Sequence, residues 1–249
     1  ATIAPTSAAQ AAVTGDTTLL SVTSAGATVT FGGIDPAVSD DGAVVAFESF
    51  ASTYVANDTN GQRDVFVRDR DAGTTQAASV SSGEVLGNGS SIGASVSDDG
   101  TKVVFESSSS NLVRGDRNGV TDVFLRDLVA GTTVRVSLTD GDTAANGASS
   151  DAMISGDGTK VVFASGATNL VAGDTNAKRD VFVRDLVAGT TTRISRSGAS
   201  QGNGASTAPS ISDDGGEVAF ETLASNLVTG DTNGVSDVMV WTGGAGVTR

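Results

Sequence analysis

Four times in 249 residues the chain sets two aspartates six positions apart with an asparagine between them. The copies are Asp58-Thr-Asn60-Gly-Gln62-Arg-Asp64, Asp116-Arg-Asn118-Gly-Val120-Thr-Asp122, Asp174-Thr-Asn176-Ala-Lys178-Arg-Asp180 and Asp231-Thr-Asn233-Gly-Val235-Ser-Asp237. This spacing offers hard oxygen donors: carboxylates at positions one and seven, an amide oxygen at three and a backbone carbonyl at five. Ca2+ takes about six to eight such ligands at roughly 2.3–2.6 Å. Position five changes from Gln62 to Val120, Lys178 and Val235, as expected where only its carbonyl is used. The expectation is one Ca2+ per repeat. The competing reading is an Asx turn, in which the same side chains bond their own backbone. Ten residues before each first aspartate stand Glu48, Glu106, Ala164 and Glu221, and the three glutamates either add a ligand or end a strand in solvent.

Other chemistry is thinly represented. The tetrads Ser39-Asp-Asp-Gly42, Ser97-Asp-Asp-Gly100, Ser155-Gly-Asp-Gly158 and Ser212-Asp-Asp-Gly215 pair carboxylates as glycosidases do. A hairpin turn accounts for them fully, and one active site does not require four copies. With no Cys and no His there is no thiol or imidazole nucleophile, no Zn site of those ligands and no ordinary general base near neutral pH. The formal charge of −14 argues against nucleic acid, whose phosphates need Lys and Arg. No apolar run approaches ~18 residues, so no membrane insertion is expected. The first residues, Ala1-Thr-Ile-Ala-Pro, read as a mature end left by removal of a signal peptide, with an artificial start as the alternative. That reading makes the protein secreted or part of the cell envelope.

The elements that position these loops recur with them. The tetrad glycines at 42, 100, 158 and 215 are separated by 58, 58 and 57 residues. Each repeat offers four strands and no helical period. A short strand precedes the tetrad (Ala37-Val38, Ser95-Val96, Met153-Ile154, Ser210-Ile211), and Asp-Gly then turns the chain tightly. A second strand follows (Val44–Phe47, Val103–Phe105, Val161–Phe163, Val218–Phe220). A long connection carrying the Asp/Asn loop leads to a third, with Phe66, Phe124, Phe182 and Met239 at one position. The fourth spans Thr132–Ser137 and Thr190–Ser195 in the middle repeats, and a Gly-Asn-Gly or Ala-Asn-Gly return leads onward. The fold class is all-β: a β-propeller of four four-stranded blades over residues 15–249, preceded by a tether or strap at 1–14. Thr17–Ser21 lies in the register of a fourth strand, since Gly15 and Gly42 are spaced as Gly131 and Gly158 are. The expectation is that this N-terminal strand completes the last blade and closes the ring, removing free sheet edges. A monomer is expected, and two chains exchanging those strands are the alternative.

Gly-Asp-Thr-Asn-Gly-x-x-Asp-Val-Phe-Val-Arg-Asp, then Gly-Thr-Thr-x-Arg-x-Ser and Ser-x-Asp-Gly-x-x-Val-x-Phe, resembles the TolB-like β-propeller repeat family over residues 15–249. The Asp-Thr-Asn-Gly segment resembles a narrower group with calcium-type loops, found in secreted bacterial proteins. That family usually has six blades, so four repeats depart from it. In a four-stranded blade the connections after strands two and four share one face, and function usually resides on the longer loops. The resulting expectation is a secreted, calcium-binding, non-catalytic module that binds a protein or carbohydrate on the long-loop face. The alternatives are an extracellular hydrolase or lyase using acidic residues of that face, with Tyr54 or Ca2+ in support, and a purely structural spacer or surface component.

Overall fold

The structure, a computed structural model, describes residues 17–243 and 246–248. The proposed tether at 1–14 lies outside them. The repeats become four antiparallel sheets, each ordered as its strands follow in sequence. The first holds β1 (Ile34–Val38), β2 (Val44–Ser49), β3 (Asp64–Asp69) and β4 (Thr74–Ala77). The second holds β5 (Ser91–Val96), β6 (Lys102–Ser107), β7 (Asp122–Asp127) and β8 (Thr132–Arg135). The third holds β9 (Ser149–Ile154), β10 (Lys160–Ser165), β11 (Asp180–Asp185) and β12 (Thr190–Arg193). A small hairpin, β13 (Arg196–Ser197) and β14 (Ser200–Gln201), precedes the fourth sheet. That sheet holds β15 (Ser206–Ile211), β16 (Glu217–Thr222), β17 (Asp237–Thr242) and β18 (Gly246–Thr248).

The innermost strands, β1, β5, β9 and β15, are longer than the sequence pattern suggests because each carries a bulge. A residue of positive φ sits at each one: Asp35, Gly93, Asp151 and Ala208. The extra residue breaks strict alternation, which is the signal by which a strand is read from sequence. The tetrad turns form as expected, with Gly42, Gly100, Gly158 and Gly215 all at positive φ.

Sheets pack face to face in chain order. Ala46, Val65 and Val67 of the first meet Val103, Phe105 and Phe124 of the second, and equivalent clusters join the second to the third and the third to the fourth. Backbone bonds reinforce the stack, as from Ser91 N–H to Arg63 O (2.7 Å) and Ser149 N–H to Thr121 O (2.9 Å). All four sheets line a central cavity of about 480 Å³ through Pro36, Ala94, Ala152 and Pro209.

The ends of the stack correct the expected closure. Among the described residues no hydrophobic cluster joins the first and fourth sheets. Val238 is 64% exposed, where its equivalents Val65, Val123 and Val181 are fully buried. The outer strand of the fourth sheet is β18, from the chain's own end, pairing Trp241 with Val247. Thr17–Ser21 belongs to no sheet. The segment that follows lies against the first sheet: Val22 O accepts the Thr75 hydroxyl (2.6 Å) and Ser21 O accepts that of Tyr54 (3.3 Å). Val22 bridges Thr28 as Val80 bridges Leu86 and Leu138 bridges Ala144. Register was thus read correctly and partner was not: this strap covers the flank of the first sheet as each return covers the sheet after it.

Candidate functional site

In all four Asp/Asn loops the asparagine works locally. Its Oδ1 accepts the backbone N–H two residues on: Gln62 (2.8 Å), Val120 (3.3 Å), Lys178 (2.9 Å) and Val235 (3.1 Å). Its Nδ2 donates to the second aspartate: Asp64 (2.7 Å), Asp122 (2.7 Å), Asp180 (2.9 Å) and Asp237 (3.0 Å). In the first three repeats a serine 15 residues on closes the loop, Ser79 to Asp64, Ser137 to Asp122 and Ser195 to Asp180. Sequence reading did not single out these serines, although they recur in Gly-Thr-Thr-x-x-x-Ser. The loops are therefore Asx turns fastened to the end of β3, β7 or β11 and to the return that follows β4, β8 or β12.

The first aspartates divide the repeats into two kinds. In the second, Arg135 of β8 places Nη2 2.7 Å from Asp116 Oδ1 and Nε 3.5 Å from Asp122 Oδ2. In the third, Arg193 of β12 lies 3.1 Å from Asp174 and 3.6 Å from Asp180. The chain's own guanidinium stands between the two carboxylates, where a metal ion was expected. These are charge contacts without aligned hydrogen bonds on Arg135 Nη2 or on either Asp174 oxygen. In the first repeat the same register position, opposite Phe66, is Ala77. Asp58 and Asp64 are 8% and 0% exposed, and no cation pairs with either among the described residues. Burial, with a further push from the Asp58 charge, raises Asp64 to a pKa of about 6. In the fourth repeat the register position of Arg135 and Arg193 falls on Arg249, outside the described residues, and among the described residues the buried Oδ1 of Asp231 has no hydrogen-bond partner. Among the described residues no group of three or more acidic side chains converges as a metal cluster.

The glutamates turn away from the loops to the neighbouring sheet. Glu48 accepts Gly93 N–H (2.5 Å) and pairs with Arg63 (3.2 Å), and Glu106 accepts Asp151 N–H (2.5 Å). Each carboxylate thus caps the bulge of the next innermost strand. Glu221, with no sheet beyond it, is exposed. Burial pushes Glu106 up to a pKa of about 7 from 4.5. A folded-state pKa above the unfolded one means that this group favours the fold most at low pH and loses that contribution as pH rises from 4.5 to 7. Relative to Glu106→Gln, the natural chain should lose about 2 kcal/mol over that interval. Urea titrations at a series of pH values measure this, and parallel curves for the two chains would contradict it.

The remaining candidates are structural. The third tetrad residues, Asp41, Asp99, Asp157 and Asp214, bond their own turns, as Asp41 does with Ala43 N–H and the Ser39 hydroxyl, both at 2.8 Å, and those bonds hold Asp41 below the usual carboxylate range. Arg126 and Arg184 reach back to Glu84 and Asp142 on the preceding return, forming ion pairs between repeats. Tyr54 is buried against Phe47 and Phe66, with ring centroids at 5.1 and 4.8 Å, so it offers no exposed phenol for catalysis. Asn111, Asn169 and Asn226 each clasp the preceding return, as Asn111 Oδ1 accepts Asn88 N–H (2.9 Å).

At Ala77 the first sheet departs from the second and third. A cavity of about 560 Å³ opens on the long-loop face of the first sheet, lined by Asn60, Thr75, Ala77, Glu84 and Gly87 among others. It joins the connection after β2 to the return after β4, the two long segments expected to share a face. In the second repeat the equivalent residues line two separate cavities of about 480 and 210 Å³, and Arg135 borders both.

Comparison with solved structures identifies the fold. The chain aligns with TolB from Acinetobacter baumannii (19% identity, TM-score 0.52, 88% of this chain and 43% of that one). It aligns equally with a protein assigned as TolB from Agrobacterium tumefaciens (18% identity, TM-score 0.52, 86% and 63%). The tricorn protease gives 16% identity and a TM-score of 0.51, over 84% of this chain and 21% of that one. The architecture is therefore a TolB-like β-propeller fold, and the chain spans less than two thirds of each of these proteins. No protein-family model matches the sequence, and no curated protein matches it.

Proposed function

We propose that the chain is a non-catalytic binding module, a propeller of four blades that takes a protein or carbohydrate ligand on the long-loop face of its first blade. One observation carries this reading. The loop aspartates and the third tetrad residues hold turns, while Ala77, where the second and third repeats carry Arg135 and Arg193, lines the 560 Å³ cavity. An array of peptides and glycans probed with the natural chain and with Ala77→Arg tests it. Ligands bound by the first and lost by the second support the reading, and an array with no ligand supports a spacer instead. Glu106 favours a second reading, hydrolysis in the central cavity, because a carboxyl of pKa about 7 can act as an acid. Its oxygen already accepts two backbone N–H groups, from Asp151 and Ala152, so the first reading is preferred.

Calcium enters as a proposal for the first loop, where Ala77 stands in place of an arginine. There Asp58, Asn60, Gln62 and Asp64 would hold the ion, and among the described residues no cation pairs with either aspartate. Two carboxylates and few further donors make weak sites, of the class found in extracellular modules. That setting agrees with a secreted or cell-envelope protein. An ion bound only by the folded chain adds about 2.7 kcal/mol per site at a hundredfold excess over Kd. Calcium should therefore raise the melting temperature reversibly, and a melt indifferent to calcium and to EDTA would remove the metal from the account.

A further inference from the structure

We propose that the first-blade cavity is a receptor for a guanidinium group, the arginine side chain of a partner peptide, held between Asp58 and Asp64 as Arg135 and Arg193 are held in the next two blades. The proposal deepens the binding-module reading and rests on it. The same pair of aspartates occurs three times with the same Asx turn and the same serine, and twice the chain fills the space between them with its own guanidinium. The third time the strand offers Ala77, the carboxylates keep their places, and the volume of the missing side chain is part of a cavity. Asp58 lies in the chain between two lining residues, Asn57 and Thr59, and is more than nine-tenths buried with no ion-pair partner. Glu84, paired with Arg126, stands at the rim with its side chain 65% exposed. A guanidinium suits two carboxylates side by side better than an ammonium does, because its donors are spread in a fixed planar fork. A metal ion alone would compete for the carboxylates but would leave the rest of the cavity empty.

Isothermal titration of the intact chain at low salt with the peptide Gly-Arg-Gly, and with the same peptide carrying citrulline for arginine, tests this. Citrulline keeps the shape and removes the charge. The arginine peptide should bind at least tenfold more tightly than the citrulline peptide. Asp58→Asn should weaken it by a similar factor, and Ala77→Arg should abolish binding while raising the melting temperature, which separates occlusion from unfolding. Equal affinity for the two peptides would overturn the proposal, as would undiminished binding by Ala77→Arg. Array ligands lost in Ala77→Arg but indifferent to arginine would overturn the guanidinium and leave the binding module standing.

Discussion

Replacing Arg135 by alanine is expected to destabilise the fold by about 3 kcal/mol or more, the usual consequence of removing one partner from a buried ion pair. Asp116 and Asp122, 4% and 0% exposed, would face each other across a space without a cation. The second blade would then reproduce the first, where the unpaired Asp64 is pushed up to a pKa of about 6. Adding Asp116→Asn to Arg135→Ala should recover a substantial part of the loss, since the like charges no longer oppose each other. Denaturant unfolding of the single and double variants measures both terms. An Arg135→Ala chain as stable as the natural one would show that the guanidinium is a bystander.

Removal of residues 17–24 should be comparably damaging. The strap bonds Tyr54 and Thr75 at the edge of the Phe47, Tyr54 and Phe66 cluster, which no other sheet joins among the described residues. Exposing on the order of 100 Å² of apolar surface and leaving the Thr75 hydroxyl without its acceptor together cost about 3 kcal/mol. For a chain of this size that is a fall in melting temperature of roughly 10 °C. Calorimetry with a dye that reports exposed apolar surface reads the effect. An unchanged melt without dye binding would mean that the strap only drapes the first sheet.

Much of this architecture was legible in the sequence because local chemistry fixed it. Asp-Gly turns, alternating Val-Phe strands and the 58-residue spacing of the tetrads needed no tertiary context, and four antiparallel sheets followed. The first half of each innermost strand was not legible, because a bulge at Asp35, Gly93, Asp151 or Ala208 breaks alternation. The partner of Thr17–Ser21 was not legible either. A strand's register is written in its own residues, but which sheet it meets depends on how the two ends of the stack approach each other. The Asp/Asn loops were visible as a constellation, yet their neutralising group lies 19 residues beyond Asp116, on another strand. Its signal was a plain one: Ala77, Arg135 and Arg193 share a register position, and the first breaks the series. The reach from Glu48 and Glu106 to the next sheet's bulge had no local signature at all.

The central claim is that the loop carboxylates are neutralised by the chain's own arginines in the second and third blades and by an outside cation in the first. Native mass spectrometry of the calcium-saturated intact chain tests it most directly, because it counts ions without reference to any ligand. The predicted result is one calcium ion fewer on Ala77→Arg than on the natural chain, and one additional ion on Arg135→Ala. Four ions on the natural chain, unchanged by either substitution, would contradict it.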